Sequence, residues 1–374
     1  MRVALNLVFL VPGQTGGMEA YARELVSRLA AIGGIELTCL VGRPAAGQGP
    51  WSELAREVVL PVDATSRAEW VMGEQWYVPR AAQRAGADIV HSLASTAPLH
   101  GRQVRVTTIH DLNFMMVPEA HFGLRGAGMR VLVPAAAKRS NRLIADSNST
   151  RDDLVSRLGV SPGKVDVVPL AAQVTGMSDP ALRNSLSRRL DLDDRWVLIA
   201  PGAKRPHKNA SLVIDALASM DTTERPKLVV TGYRTPYESE IRSQVDSLGL
   251  ANDVVIADNL SAREMEALYE LADCVVVPSR YEGFGLPVLE GMTRGLPVIA
   301  SDRSSLPEVA GGAALLVDPE SVEEMARAIR QLMGNPAVVE RLSAAGIERA
   351  RDFTWERTAL LTRASYERAL GSLE

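Results

Sequence analysis

Two glutamates with seven residues between them, Glu282 and Glu290, stand in the run Arg280-Tyr281-Glu282-Gly283-Phe284-Gly285-Leu286-Pro287-Val288-Leu289-Glu290-Gly291-Met292. A strand-like CVVVPS precedes them, a glycine-bearing loop turns, Pro287 suits a first helical turn, and Glu290 falls about one turn inside the helix. From there Glu290 can accept hydrogen bonds from a vicinal diol such as a ribose 2′,3′ pair. Glu282 and the N–H groups of Gly283, Phe284, Gly285 and Leu286 would then meet whatever lies beyond the phosphates of the same ligand. A glycosidase pair, acid and base flanking a glycosidic bond, fits poorly, because a helix-borne Glu beside a phosphate-binding loop is not its usual scaffold.

Three further clusters could meet a ligand, two of them an anionic one. Pro201-Gly-Ala-Lys204-Arg205-Pro206-His207-Lys208-Asn209 brings four basic or potentially basic side chains to a loop that opens a helix, with Lys208 nearest its start. They could neutralise a diphosphate without a metal, although a solvated basic loop is the plain alternative. Gly16 and Gly17, in GQTGGMEAYARELV, immediately precede a helix whose free N–H groups and positive dipole end suit an anion. His110 leaves a strand with Asp111 beside it, an acid that could orient the ring for a substrate role. Gly13, Gly16 and Gly17 lack G-x-G-x-x-G spacing, so NAD binding is disfavoured. The formal D-x-D at Asp191 and Asp193 precedes a strand instead of following one and reads as a solvated loop, so no metal site is expected.

These residues lie in loops after strands, where open parallel sheets bind ligands. Short apolar runs alternate with helical periods, the pattern of βα units. In the first half, residues 3–11, 35–41, 88–91, 104–109, 143–145 and 165–168 read as strands, with helices at 18–31, 67–85 and 149–158, the last capped by Ser149 and Asp152. Around 175–195 the rhythm breaks into a polar stretch read as a linker. A second series of strands follows at 196–200, 227–231, 254–256, 274–277, 297–300 and 313–317, and two final helices at 337–350 and 355–370 have no strand after them. The expected division is one doubly wound domain over 1–174, a second over 192–354, and a helix over 355–374 packed on a domain exterior.

A length of 374 residues exceeds the ~150 that serve as a prior for one domain, and 46% hydrophobic with 23% charged residues lets each half bury a core. A formal net charge of −4 and only 5% aromatics make nucleic acid an unfavoured partner. Cys39 and Cys274 sit in apolar strand-like runs and read as reduced core thiols. The opening MRVALNLVFLV runs into a Gly-rich loop without a cleavage site, and nowhere do 18 apolar residues run together, so the expected compartment is cytoplasmic. Arg125, Arg130, Lys138, Arg139 and Arg142 among Leu, Val and Ala suggest a basic face for peripheral contact with the inner face of the plasma membrane, with an ordinary solvated helix as the alternative.

The segment from Val275 to Pro319, with EGFGLPVLE, GLPVIAS, LPEVAGGA and VDP, resembles the signature of retaining glycosyltransferase family four. TGGME, IHD, DSNSTRDDL, KRPHKN and the late FTWER follow in that family's order, so the resemblance spans nearly the whole chain. It implies the GT-B fold, two Rossmann-like doubly wound α/β domains facing a central cleft, with the domain over 1–174 binding the acceptor and the one over 192–354 the nucleotide sugar. It further implies that Glu290 binds the ribose, Glu282 and the Gly283, Phe284, Gly285 and Leu286 amides the donor sugar, and Lys208 the diphosphate. Gly16 and Gly17 would meet the phosphate from across the cleft, and His110 the sugar hydroxyls near the reacting carbon. Many members carry an arginine shortly before the lysine; Gly202 and Ala203 stand there instead, leaving Arg205 as the substitute.

The expected activity is therefore transfer of a hexose-type sugar, with retention and without a metal, from a nucleotide-diphosphate sugar to the hydroxyl of a sugar or lipid-linked acceptor. A GDP-sugar stands slightly ahead, and bacterial polysaccharide or glycolipid synthesis is the expected setting. A sugar-nucleotide epimerase of the same fold and a non-catalytic nucleotide-sugar sensor are the rivals.

Overall fold

A computed structural model of the chain describes residues 1–117, 124–173, 176–192 and 195–371, except the side chains of 124–127. It contains two compact units, one made of Met1–Met115, the stretch ending at Leu170 and the chain from Thr354 on, the other of Ala171–Phe353.

The first unit is built on strands β1 (Arg2–Leu7), β2 (Glu36–Val41), β3 (Arg56–Val59), β4 (Ile89–Ser92), β5 (Val104–Ile109), β6 (Arg142–Ala145) and β7 (Val165–Val167). All pair in parallel, in the order β3-β2-β1-β4-β5-β6-β7, so the winding reverses between β1 and β4. Parallel strands need crossover connections, which the helices supply, and burial on both faces explains why most of them read as unbroken apolar runs. Strand β3 escaped the sequence reading because it is an edge: its RE-VV carries two charges and none of its four residues is fully buried.

The second unit repeats the plan with β8 (Val197–Ala200), β9 (Lys227–Val230), β10 (Val254–Ile256), β11 (Cys274–Val277), β12 (Val298–Ser301) and β13 (Leu315–Val317) in the order β10-β9-β8-β11-β12-β13. Here the reversal lies between β8 and β11, over a core that includes Leu198, Val213, Leu228, Val276 and Ile299. Cys39 and Cys274 are both buried free thiols.

Two local expectations are corrected, and the two last helices find their places. The polar stretch read as a linker contains the helix Pro180–Arg189, capped by Asp179, and the second unit begins at Ala171. Only Leu186 of that helix is fully buried, and ion pairs from Arg183 to Glu270 and from Arg189 to Glu264 tie it to the helix Ala262–Leu271, so it leaves almost no apolar periodicity. The helix after β6 spans Asn148–Leu158, and its cap is Ser147, whose Oγ accepts from the Thr150 N–H, instead of Ser149. The helix Pro336–Ala350 packs on Leu286–Thr293 in the second unit, whereas Trp355–Gly371 packs against β5, β6 and the helix Gly17–Ala31 in the first.

Candidate functional site

In the second unit, the loops leaving β8 and β11 at the winding reversal are stitched together by backbone groups. The Asn209 side-chain amide donates to the carbonyls of Pro278 (3.1 Å) and Pro319 (2.8 Å), and the Arg280 N–H donates to the His207 carbonyl at 2.8 Å. Asn209 turns the chain into the helix Ala210–Ala218 with φ 58°, a left-handed conformation that asparagine tolerates. These ties bring two of the predicted residues into contact: Lys208 Nζ donates to Glu282 Oε1 at 2.5 Å, with side-chain exposures of 23% and 11%.

Glu282 is held from every side. Ser279 Oγ donates to its Oε1 at 2.7 Å, its own N–H donates to Ser304 Oγ at 2.9 Å, and Ser305 Oγ donates to its carbonyl and to that of Phe284. Burial pushes the Glu282 carboxyl up, but the Lys208 ammonium and the Ser279 hydroxyl more than offset this and hold it below its usual range. It is an anion beside a cation, and that cation, Lys208, lines a crevice together with Pro201, Gly202, Arg205 and Ser279.

Gly285 then caps the helix Leu286–Thr293 with φ 109°, and a Cβ there would stand 2.6 Å from Leu306 Cδ2, so both backbone angle and space require glycine. Glu290, one turn in, is half-buried, and its Oε2 accepts from the Tyr269 hydroxyl at 2.6 Å. Arg205 reaches sideways, its Nη2 2.5 Å from the Tyr233 hydroxyl.

Two of the basic residues of the 201–209 loop are buried. Lys204 is buried and donates to the Gly232 and Ala257 carbonyls, both at 2.7 Å, with Glu238 at 3.3 Å, so its charge serves the loop; His207 is buried as well. Asp191 is more than a solvated loop residue, for its Oδ2 accepts from buried Lys227 Nζ at 2.8 Å; Asp193 lies outside the described residues. Among the described residues no group of three or more His, Cys, Asp or Glu side chains is placed to hold a metal.

Gly16, Gly17 and His110 belong to the first unit. Gly16, exposed, sits at φ 59° and ψ −134° as cap of the helix Gly17–Ala31 and makes no side-chain cap bond, which leaves that helix start to its backbone amides. His110 is held by Asp146, not by its neighbour Asp111 as expected: Nδ1 lies 2.7 Å from Asp146 Oδ2 and Nε2 lies 2.8 Å from the Leu93 carbonyl. Burial alone would lower the imidazole's pKa, but the Asp146 carboxylate and the Leu93 carbonyl raise it above the ordinary value. When the ring is protonated both nitrogens can donate to these partners, and Tyr21 packs edge-on to the ring at 5.1 Å. Asp146 immediately follows β6, so the strand-exit rule that singled out His110 also reaches it. Tyr269, Ser304 and Ser305 carried no comparable signal.

Of the basic face, Arg130, Lys138 and Arg139 are exposed on the helix Leu124–Arg139, but Arg142 opens β6 and pairs with Asp166 at 2.5 Å; the Arg125 side chain lies outside the described ones. Among the described residues no helix is long and apolar enough to cross a membrane.

Two parallel sheets of this order define a GT-B chain, and the HepE protein of Anabaena, solved in complex with UDP and glucose, shares its fold with a TM-score of 0.75 at 18% identity, over 98% of this chain and 100% of that one. The family Glycosyltransferase Family 4 matches residues 15–173, and the family Glycosyl transferases group 1 matches residues 183–349. The chain is 30% identical, over 80% of its length and 71% of the relative's, to the D-inositol 3-phosphate glycosyltransferase of Actinosynnema mirum. It is 28% identical, over 72% and 71%, to the O-antigen chain mannosyltransferase B of Escherichia coli. The chain belongs to glycosyltransferase family 4 of the group 1 type and is a glycosyltransferase.

Proposed function

We propose that the chain transfers a hexose-type sugar, with retention and without a metal ion, from a nucleotide-diphosphate sugar to an acceptor hydroxyl. The observation that carries the reading is the Lys208–Glu282 pair beside the amides of Gly283 to Leu286 at the second unit's winding reversal. Lys208 takes the negative charge that develops on the leaving diphosphate, aided by the start of the helix Leu286–Thr293. Glu282 and the loop amides meet the donor sugar, Glu290 the ribose diol, and Arg205 swings from Tyr233 to the phosphates. Gly16 and Gly17 add helix-terminal amides for the diphosphate. His110 meets a sugar hydroxyl by exchanging the Leu93 carbonyl for it at Nε2.

In the step itself the bond from the anomeric carbon to the phosphate oxygen breaks as the acceptor oxygen bonds on the same face. The acceptor proton passes to the departing phosphate, and no side chain acts as a covalent nucleophile. The donor is a GDP-sugar ahead of a UDP- or dTDP-sugar, the acceptor a sugar or lipid-linked saccharide of a bacterial polysaccharide or glycolipid. Arg130, Lys138 and Arg139 offer charge for peripheral attachment at the inner face of the plasma membrane, from a cytoplasmic location.

The test is incubation of the protein in excess chelator with labelled GDP-, UDP- and dTDP-sugars, guided by thermal shifts with the free nucleotides. Transfer to an added acceptor, or slow release of free sugar, is expected. An epimerised nucleotide sugar, or binding with no turnover, would sink the reading. Loss of activity that magnesium restores would overturn its metal-free part.

A further inference from the structure

We propose that Tyr269 is a positioning residue for the nucleotide site: its hydroxyl, 2.6 Å from Glu290 Oε2, sets the rotamer of that carboxylate and leaves Oε1 to accept from the ligand's vicinal diol. The inference rests on the reading of Glu290 as the ribose contact. It concerns what aims that residue.

A half-exposed glutamate near the start of a helix has three rotatable bonds, and a ligand that must fix them itself loses affinity to the ordering. Tyr269 removes that freedom beforehand, and it can do so because it is fixed in turn. It lies buried on the helix Ala262–Leu271, with 4% exposure, and the Arg294 guanidinium covers its ring face at 4.4 Å. Arg294 itself is clamped: Nε and Nη2 donate to the two oxygens of Glu266 at 2.8 and 2.6 Å, Nη1 donates to the Glu290 carbonyl at 2.9 Å, and Nη2 also reaches the Gln173 carbonyl at 3.0 Å. The two helices are thus cross-linked around the phenol, and its hydroxyl points at one acceptor. Burial, then the charge and hydrogen bond of Glu290, keep the phenol protonated, so it remains a donor at any working pH.

The Tyr269→Phe variant removes one oxygen and keeps the ring in its stack. Its affinity for a ribonucleoside diphosphate is expected to fall about three- to tenfold, with the loss on donor KM larger than that on kcat. The preference for the ribonucleotide over its 2′-deoxy and 3′-deoxy analogues should shrink, and in a Glu290→Gln background Tyr269→Phe should shrink it no further. Calorimetry on wild type, both single variants and the double variant reads all of this. Unchanged affinity in Tyr269→Phe, or an equal loss for ribo- and deoxynucleotides, overturns the proposal while the ribose reading stands. If Glu290→Gln itself leaves the ribo-over-deoxy preference intact, the ribose reading fails and the positioning role with it. Should the phenyl variant not fold, Arg294→Gln removes the stack that aims the hydroxyl, and a wild-type preference there is equally fatal.

Discussion

Both units wind their sheets in the same order around the first strand, yet the side chains at the two reversals differ in kind. At the first, Asn6 of β1 lies in register with Ser92 of β4, and its amide donates to the Ser92 hydroxyl at 3.1 Å and to buried Glu74 at 2.8 Å, which Thr96 also meets at 3.1 Å. At the second stand a partly exposed lysine and a buried glutamate in contact. A closed network of hydroxyls, an amide and a carboxyl fixes loops but has little charge to offer an anion. A lysine that is only partly enclosed can change partners: on the proposed reading a diphosphate arriving at Lys208 would replace the carboxylate it displaces. Identical topology thus supports two tasks, and only the loop residues tell them apart.

The sharpest way to break this contrast is at Lys208. Lys208→Ala removes the charge on the leaving-group side and strands the buried Glu282 carboxylate without its cation, so kcat should fall by roughly 10²- to 10³-fold. Adding Glu282→Gln to it should cost far less than the two separate losses combined, because the pair acts as a unit. Steady-state turnover of the four proteins checks both points, and near-wild-type turnover in Lys208→Ala would remove the charge-handling role from the second unit.

The two glutamates sharpen the division within that unit. Losing a hydrogen bond to a charged group costs about 1.5 to 3 kcal/mol, roughly ten- to a hundredfold in affinity. Glu290→Gln should weaken the free nucleotide and the nucleotide sugar alike by that factor. Glu282→Gln should leave the nucleotide nearly untouched and lower turnover or sugar selectivity. Calorimetry with both ligands separates them, and an equal loss of nucleotide affinity in both variants would show the division to be wrong.

What could be read in advance follows from how each residue is fixed. Strands buried on both faces announce themselves as apolar runs, and strand exits announce loops, so the positions of Lys208, Glu282 and His110 in loops after strands were legible from chain order alone. Edge strand β3 and the helix Pro180–Arg189 are held by charges and backbone bonds, which leave no apolar period to detect. Partners distant in the chain were out of reach for another reason: Asp146 meets His110, and Tyr269 meets Glu290, only after the sheet and the helices have formed. Lys204 shows the reverse error, a cation in a basic loop whose burial against two carbonyls no local pattern reveals.

The first unit's network can be broken by pH. Burial pushes the Glu74 carboxyl up to about 7, against the opposing hydrogen bonds of Thr96 and Asn6. A folded-state value above the unfolded 4.5 means that the folded chain binds this proton more tightly, so its contribution is full below that pH and is lost as pH rises through 7. Glu74→Gln keeps the acceptor oxygen for Asn6 and Thr96 without the charge. The variant should melt several degrees above wild type at pH 8, and the gap should close toward pH 5, in thermal scans at matched ionic strength. A gap that does not change with pH would mean that Glu74 keeps the same protonation state across the range.

The smallest effect is expected at Arg205, where the contrast between fixed and exchangeable cations is finest. Its guanidinium is partly exposed, one nitrogen meets the Tyr233 hydroxyl, and its carbon lies 5.5 Å from the centre of that ring, an arrangement that holds the side chain near the phosphate loop without enclosing it. Exposed cation–π contacts are worth only about 0.5 to 1 kcal/mol, so leaving Tyr233 for a phosphate costs little and returns one screened charge. Arg205→Ala should therefore raise donor KM only about two- to fivefold, an effect that shrinks further as salt is added, whereas the Lys208→Ala defect in kcat should persist at high salt. Kinetics at two ionic strengths distinguish the two cations. A loss at Arg205 as large as that at Lys208, and equally insensitive to salt, would make Arg205 a second full clamp on the diphosphate and place the exchangeable cation of this site in both residues.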